Sequence, residues 1–392
     1  MDKSLHYGKA ILRTLKNAGY EAYFVGGYVR DRLLNIPTSD IDITTNAPIE
    51  AIKPLFKKVI LTGEKYGTVT ILYEKHSFEV TTYRKDGHYS NKRHPDHVSF
   101  TKTLEDDLSR RDFTINQLVM NEAEEVFDHF NGLDDLKNHR IRTINDPNER
   151  FNEDALRLLR AFRFIAKLGF SLEEKTAEAI RTHAAIIREV AIERIQNELD
   201  ILFQYPYKKN ALKAMITTHF SRQFFNLHDG LNRLSESPID FEKELAYTVL
   251  YLETDDFFER FRLSKKRMRA IEQIARIVYQ TESEPYTPEI LFHEGVDAAL
   301  KANLVHQIYH REDRAYTIAK IAEKLPIKDV CELKFKGEDI LQHTHLKKRR
   351  HIGFIIDQLI LDVIHARLPN TYDALKKRTE QLIDTLEKSD IK

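Results

Sequence analysis

The sequence predicts an α+β protein in which a small mixed-sheet head is followed by helices alone. Two observations carry that prediction. Up to about residue 148, short β-branched and aromatic runs at 59–61, 68–73 and 78–83 are broken by Gly63, Gly67 and His76-Ser77, with helical periodicity at 4–18 and 48–57. Beyond Pro147, Leu, Ile and Ala recur with a helical period through 153–204, 239–280 and 289–325. Tyr205-Pro206, Ser237-Pro238, Glu284-Pro285 and Leu325-Pro326 are candidate joints, each equally compatible with a helix-helix turn inside one domain.

Within the head, Ala22-Tyr23-Phe24-Val25 is an apolar strand stopped by Gly26-Gly27, and Tyr28 to Leu34 turns to helical periodicity. A glycine pair there lets backbone N–H groups approach a phosphate closely. Asp40-Ile41-Asp42 follows on what reads as the next strand, with both carboxylates on one face and Ile41 and Ile43 toward the core. Two hard oxygen ligands side by side suit magnesium. The aspartates follow the glycines by about a dozen residues, a spacing similar to that of the nucleotidyltransferase superfamily that includes DNA polymerase β.

Glu79 lies on the alternating run 78–83 and either faces solvent or meets the aspartate pair from a neighbouring strand. The polar stretch 86–97, bounded by Gly87 and Pro95, reads as a mobile loop beside the site. Arg110-Arg111-Asp112-Phe113-Thr114-Ile115-Asn116 offers planar guanidinium forks for triphosphate oxygens, with Asp112 or Asn116 either holding a ribose hydroxyl or capping a helix. In the run 153–164, Asp154 and Arg157 are neighbours on a helix and Arg160 is one turn further on. They form either an ion pair on a solvated face or a set of donors and acceptors matching the Watson-Crick edge of a base. Helical periodicity rotates Arg163 about half a turn from Asp154.

Composition bounds the function classes. The 392 residues are 42% hydrophobic and 31% charged, and 61 basic side chains balance 61 acidic ones. That balance argues against indiscriminate coating of nucleic acid and favours a local RNA footprint. There is no 18-residue apolar stretch and no signal-peptide pattern after Met1-Asp2-Lys3, so a cytoplasmic protein without membrane contact is expected. Cys331 alone can form neither an internal disulfide nor a cysteine zinc site. His228-Asp229 has no histidine cluster around it and reads as a surface loop. His343, His345 and His351 flank Lys347-Lys348-Arg349-Arg350, which reads either as a phosphate contact or as a solvated helix end.

Taken in order, these elements resemble the bacterial CCA-adding tRNA nucleotidyltransferases, together with the related bacterial poly(A) polymerases. The resemblance runs through Gly26 to Asp31, Asp40-Ile41-Asp42, 110–116, 128–134 around Gly132, 153–164 and 193–199, with a weaker likeness of 337–341, Gly353 and 368–370 to the family's tail. It implies a polymerase β-like nucleotidyltransferase head at 1–148, a neck with a nucleotide-selecting helix at 149–206, a helical body at 207–325 and a tRNA-binding tail at 326–392. Lys347 to Arg350 departs from the family pattern of more Gly and Pro.

The resemblance further implies that Asp40 and Asp42 bind two magnesium ions, with Glu79 as a third catalytic carboxylate. Gly27, Arg30, Arg111, Arg160 and Arg163 are then expected to hold the nucleotide and its phosphates, while Asp154 and Arg157 select cytosine or adenine. Substrates are CTP, ATP and the acceptor arm and elbow of tRNA, and a homodimer is implied. Lys65-Tyr66-Gly67-Thr68 and the complete 86–97 loop look like enzymes that add C, C and then A. A poly(A) polymerase, a CC-adding relative and an inactive tRNA-binding protein are the alternatives, and no phosphohydrolase domain is expected.

Overall fold

The computed structural model describes residues 3–87, 98–343 and 349–389. The chain forms two compact units, Met1–Ser235 with Arg260–Arg262, and Glu236–Glu259 with Leu263–Lys392. Among the described residues no helix is long and apolar enough to cross a membrane. Most of the loop expected at 86–97, and His345, Lys347 and Lys348 of the basic stretch, lie outside the described residues.

The first unit opens with α1 (Lys3–Asn17), which buries Leu5, Ile11, Leu12 and Leu15 on one face. Next come β1 (Ala22–Val25), α2 (Gly27–Leu33) and β2 (Asp42–Thr45). The strand is shorter than the sequence suggests. Its pairing with β1 ends at Val25 opposite Asp42, because β1 turns away at Gly26 and leaves Asp40 and Ile41 without a ladder partner. The in-out alternation nevertheless continues, with Asp40 and Asp42 exposed and Ile41 and Ile43 buried. The helix expected over 48–57 is cut to α3 (Ile49–Ile52) and a 3-10 turn, Lys53–Leu55. Pro54 lacks a backbone N–H, and Phe56 is already extended.

The strands β3 (Val59–Gly63), β4 (Thr68–Tyr73) and β5 (His76–Thr82) match the apolar runs. A ribbon of β6 (Arg84–Asp86) and β7 (Val98–Phe100) leads to α4 (Leu104–Ser109). Two-residue strands β8 (Val119–Met120) and β9 (Val126–Phe127) then complete a seven-stranded sheet of order β3-β4-β5-β2-β1-β8-β9. The β2–β5 pair is parallel and the other pairs are antiparallel, so the sheet is mixed as expected. Strands as short as β8 and β9 carry too few residues to show alternation.

After α5 (Gly132–Lys137) and β10 (Arg140–Ile141), the periodic run beyond Pro147 divides into α6 (Pro147–Glu153), α7 (Leu156–Leu168), α8 (Glu174–His183) and α9 (Ile192–Leu202). Between α7 and α8, β11 (Ser171–Leu172) pairs in parallel with β10. Leu158, Leu159, Ala161 and Phe162 of α7 are almost fully buried, so this helix is a rigid base for the side chains it presents.

The second unit is helical, and Phe335, Ile340, Ile355, Leu359, Val363 and Leu375 form one apolar cluster within it. A buried histidine in this unit has a pH consequence. His306 Nδ1 accepts from Arg311, so Nε2 carries the proton and donates to Thr281 Oγ1 at 2.8 Å, whose own hydroxyl donates to the Ile277 carbonyl. Burial, then Arg311 and Arg314, push His306 from 6.5 down to about 4. A folded-state value below the unfolded one means that the unfolded chain binds the extra proton between these pH values, so stability falls as pH drops through this window. A loss of roughly 3 kcal/mol by about pH 4 is expected from the shift. Urea unfolding of the protein and of His306→Gln between pH 7 and 4 checks this, with a flatter profile expected for the variant.

Candidate active site

One cavity of about 550 Å³ in the first unit is lined by Gly27, Arg30, Asp42, Arg111, Asp154, Arg157, Arg160 and Arg163. Glu79 lines a smaller cavity that shares Asp42 with it, while Asp40 lies at the approach to β2 and lines neither. In the larger cavity nine Arg and Lys side chains face three Asp side chains, a balance suited to a polyphosphate.

The carboxylates come together through strand register. Parallel pairing sets Asp42 opposite Glu79, so Glu79 meets the aspartates from the neighbouring strand rather than facing solvent alone. Although part of Asp42 is open to solvent, protein atoms crowd its carboxyl in the cavity, and that desolvation, then the facing Glu79 and Asp40 against the pull of Arg111, push it up to about 6. A cluster of hard carboxylate oxygens that repel one another is the donor set a divalent cation relieves, so Asp40, Asp42 and Glu79 fit one. Among the described residues no group of three or more His, Cys, Asp or Glu side chains is placed to hold a metal ion by itself, so a cation here would need ligands from substrate phosphates and water as well.

The glycine turn lies directly above Asp42. Gly26 adopts φ 74° and ψ −138°, and a Cβ there lands 3.5 Å from Arg111 Nη1 and 3.8 Å from Asp42 Oδ2. Gly26→Ala is therefore expected to cost about 1–3 kcal/mol in backbone strain and to lower transfer more than tenfold. Urea unfolding and single-turnover rates check the two effects separately. Arg30, buried on α2, donates to Asn116 Oδ1 and lies beside Asp31 at 2.7 Å. Lys167 holds the other oxygen of Asp31 at 2.6 Å.

Buried acids organise the arginines. Asp107, fully buried, accepts from Arg110 at 2.8 Å and Arg111 at 3.2 Å. Burial pushes its carboxyl up, but Arg111 and Arg110 outweigh it and hold the group below its usual range. Asp112 accepts from Asn116 at 3.0 Å and pairs with Arg160, whose Nε is 2.7 Å away. Those contacts overcome the effect of burial and hold Asp112 far below the carboxylate range. Asp112 and Asn116 are thus internal braces. Their polar atoms bond Arg160, Arg30 and one another, and both residues also line the larger cavity. Arg163 pairs with Glu198 at 3.2 Å.

The expected Asp154–Arg157 ion pair does not form. Asp154 leaves helical geometry at φ −139° and ψ 104°, between α6 and α7, and accepts from the Leu156 N–H at 3.1 Å. A short acidic side chain that binds the backbone two residues on competes with the helix and starts a new one. Off the helix, Asp154 is paired by Arg194 of α9 at 3.1 Å. Arg157, itself buried, donates to Glu153 at 2.5 Å and to the carbonyls of Arg150 and Arg110. This break also explains why Asp154 and Arg163 share a cavity despite their helical phase. Sequence reasoning missed Arg194, Glu198, Asp107 and Lys167 as site residues. The first two were discoverable as residues four apart on one helix, facing the same way.

Comparison with known proteins bears on this site. A family model described as the poly A polymerase head domain matches residues 22–142, and one described as tRNA nucleotidyltransferase domain 2 matches 241–378. The chain is 37% identical over 383 residues to the CCA-adding enzyme of Lactobacillus helveticus, covering 95% of this chain and 96% of that protein. It is 34% identical to that of Enterococcus faecalis, covering 93% of each. The crystal structure of the Bacillus stearothermophilus CCA-adding enzyme in complex with CTP superposes with a TM-score of 0.86 at 29% identity, covering 99% of this chain and 100% of that one. A Thermotoga maritima CCA-adding enzyme complexed with tRNA shares the fold, with a TM-score of 0.72 at 19% identity, over 98% of this chain and 96% of that one.

Proposed function

The chain belongs to the CCA-adding enzyme family, and on that premise we propose how its own residues add C, C and A to the 3′ end of tRNA. The single observation that carries the reading is the cavity where Gly27, Asp42, Arg111 and Asp154 converge, joining a phosphate-accepting turn, carboxylates and a base-facing acid in one space. Each cycle joins the α-phosphorus of CTP or ATP to the RNA 3′-oxygen and breaks the bond to pyrophosphate, with one proton released.

Gly26-Gly27 lets the triphosphate approach the backbone without a Cβ in the way, and Arg111, fixed on one side by Asp107, directs its remaining donors to it. Arg30, Arg160 and Arg163 act mainly through their positive field, since each is already braced by an acid. Asp40 and Asp42, with Glu79 beside them, are the residues that would hold Mg2+. When bound, that cation lowers the pKa of the 3′-hydroxyl and neutralises charge at the triphosphate. Asp154 reads the base edge from a position set by Arg194, and Arg157 shapes the same wall. The protein side chains thus take the place of a template. Contact with the acceptor arm and elbow of tRNA, a homodimer and a cytoplasmic location complete the reading, supported by the family resemblance.

The test is extension of a tRNA transcript lacking its last three nucleotides, with magnesium and CTP, ATP or both, resolved to single nucleotides. Two additions with CTP and a third only with both are expected. A long ladder from ATP alone, or a stop after two additions with both nucleotides, overturns CCA addition in favour of a poly(A) polymerase or a CC-adding enzyme.

A further inference from the structure

The larger cavity has a neighbour of about 260 Å³, and the two share Asp42, Arg84, Arg110 and Arg111 along their common wall. Its other face is the polar surface of the sheet. Asp42 is paired with Glu79, Thr44 with Thr81, and Thr81 with Thr68, so Asp42, Glu79, Thr81 and Thr68 project from one face in adjoining rows. Thr68 and Thr81 lie with hydroxyls 3.0 Å apart. When one donates to the other, the pair keeps one proton to donate outward and lone pairs to accept, a match for a sugar hydroxyl.

In-line transfer requires the attacking oxygen to enter opposite the leaving pyrophosphate. With the nucleotide in the larger cavity, the side of Asp42 away from its phosphates is this smaller space. We propose that the smaller cavity is the subsite for the terminal nucleotide of the acceptor RNA, with its ribose on the Thr68–Thr81 hydroxyl pair and its phosphodiester toward Arg84. The inference rests on the function proposed above. Arg84 is suited to a backbone phosphate because its guanidinium is held by the Tyr66 carbonyl at 2.6 Å and lies over the Tyr66 ring. The nucleophile is the 3′-hydroxyl, so the hydroxyl left for the threonines is the adjacent 2′-hydroxyl, the group that separates RNA from DNA.

The experiment measures addition of A to two acceptors ending in CC, identical except for a ribose or a 2′-deoxyribose on the final cytidine. The natural protein should prefer the ribose acceptor by about five- to tenfold in kcat/KM, the size of one neutral hydrogen bond. Thr81→Val and Thr68→Val keep a β-branched strand residue and should bring that ratio near one, with KM for ATP unchanged. Thr81→Ser, which retains the hydroxyl, should restore it. An unchanged ratio in both valine variants, or no preference in the natural protein, overturns the subsite while leaving CCA addition standing. No addition to either acceptor by the natural protein overturns the function, and this inference with it.

Discussion

Asp40→Ala and Asp42→Asn are each expected to lower nucleotide transfer by at least about a thousandfold, roughly 4 kcal/mol of transition-state stabilisation. The argument begins with charge. Asp42 is opposite Glu79 on the adjoining strand, and Asp40 precedes it at the approach to β2. Desolvation first, then repulsion from Glu79 and Asp40, pushes Asp42 up to about 6, and a divalent cation at these carboxylates would relieve both. Asparagine keeps the shape of Asp42 and removes its charge, so the variant tests charge rather than packing. Because Asp40 and Asp42 are exposed, folding should survive either change, as thermal unfolding can verify. Binding of tRNA, measured by filter retention, should persist while single-turnover transfer disappears. Transfer that survived either substitution would remove these carboxylates from the mechanism.

Asp154→Ala should relax nucleotide choice, raising incorporation of UTP and GTP relative to CTP and ATP by about tenfold to a hundredfold. A base edge matched to a buried polar group is discriminated at roughly 1–3 kcal/mol for each group left unpaired. Arg194→Ala should produce a similar relaxation although Arg194 need not touch the base, because Asp154 loses the partner that sets its direction at 3.1 Å. Arg157→Ala is expected to relax selectivity and also to destabilise the fold. Its guanidinium, itself buried, joins Glu153 to the carbonyls of Arg150 and Arg110, and removing it breaks all three contacts at once. Competition assays with mixed nucleotides, run beside urea unfolding, separate the two effects. Selectivity unchanged in both Asp154→Ala and Arg194→Ala would show that another part of the cavity reads the base.

Much of this was legible in the sequence because it is encoded over short distances. Glycine punctuation, the alternation from Asp40 to Ile43 and the 3.6-residue period of α7 and α9 are properties of adjacent residues. They are sufficient to predict a mixed-sheet head and the helices after Pro147, whereas the grouping of Gly27, Asp42, Arg111 and Arg160 around one space was implied only by the resemblance to the family. Partner choice was not legible in the same way. Asp154 has an arginine three residues away and pairs instead with one 40 residues away, because a local turn takes it off the helix. The 2-residue strands β8 and β9 are fixed by pairing rather than pattern. Asp112 braces Arg160 across 48 residues, a contact no periodicity announces.

By itself, then, the sequence determined which side chains are candidates for phosphate, cation and base, and much of the secondary structure that carries them. Only the tertiary structure decided which acid each arginine satisfies, that Glu79 registers with Asp42, and that the wall behind Asp42 opens onto a threonine-lined space. The physical reason is range. Backbone propensity and side-chain periodicity act within a few residues, whereas the desolvation of a buried charge is relieved by whichever opposite charge the packed fold brings within reach.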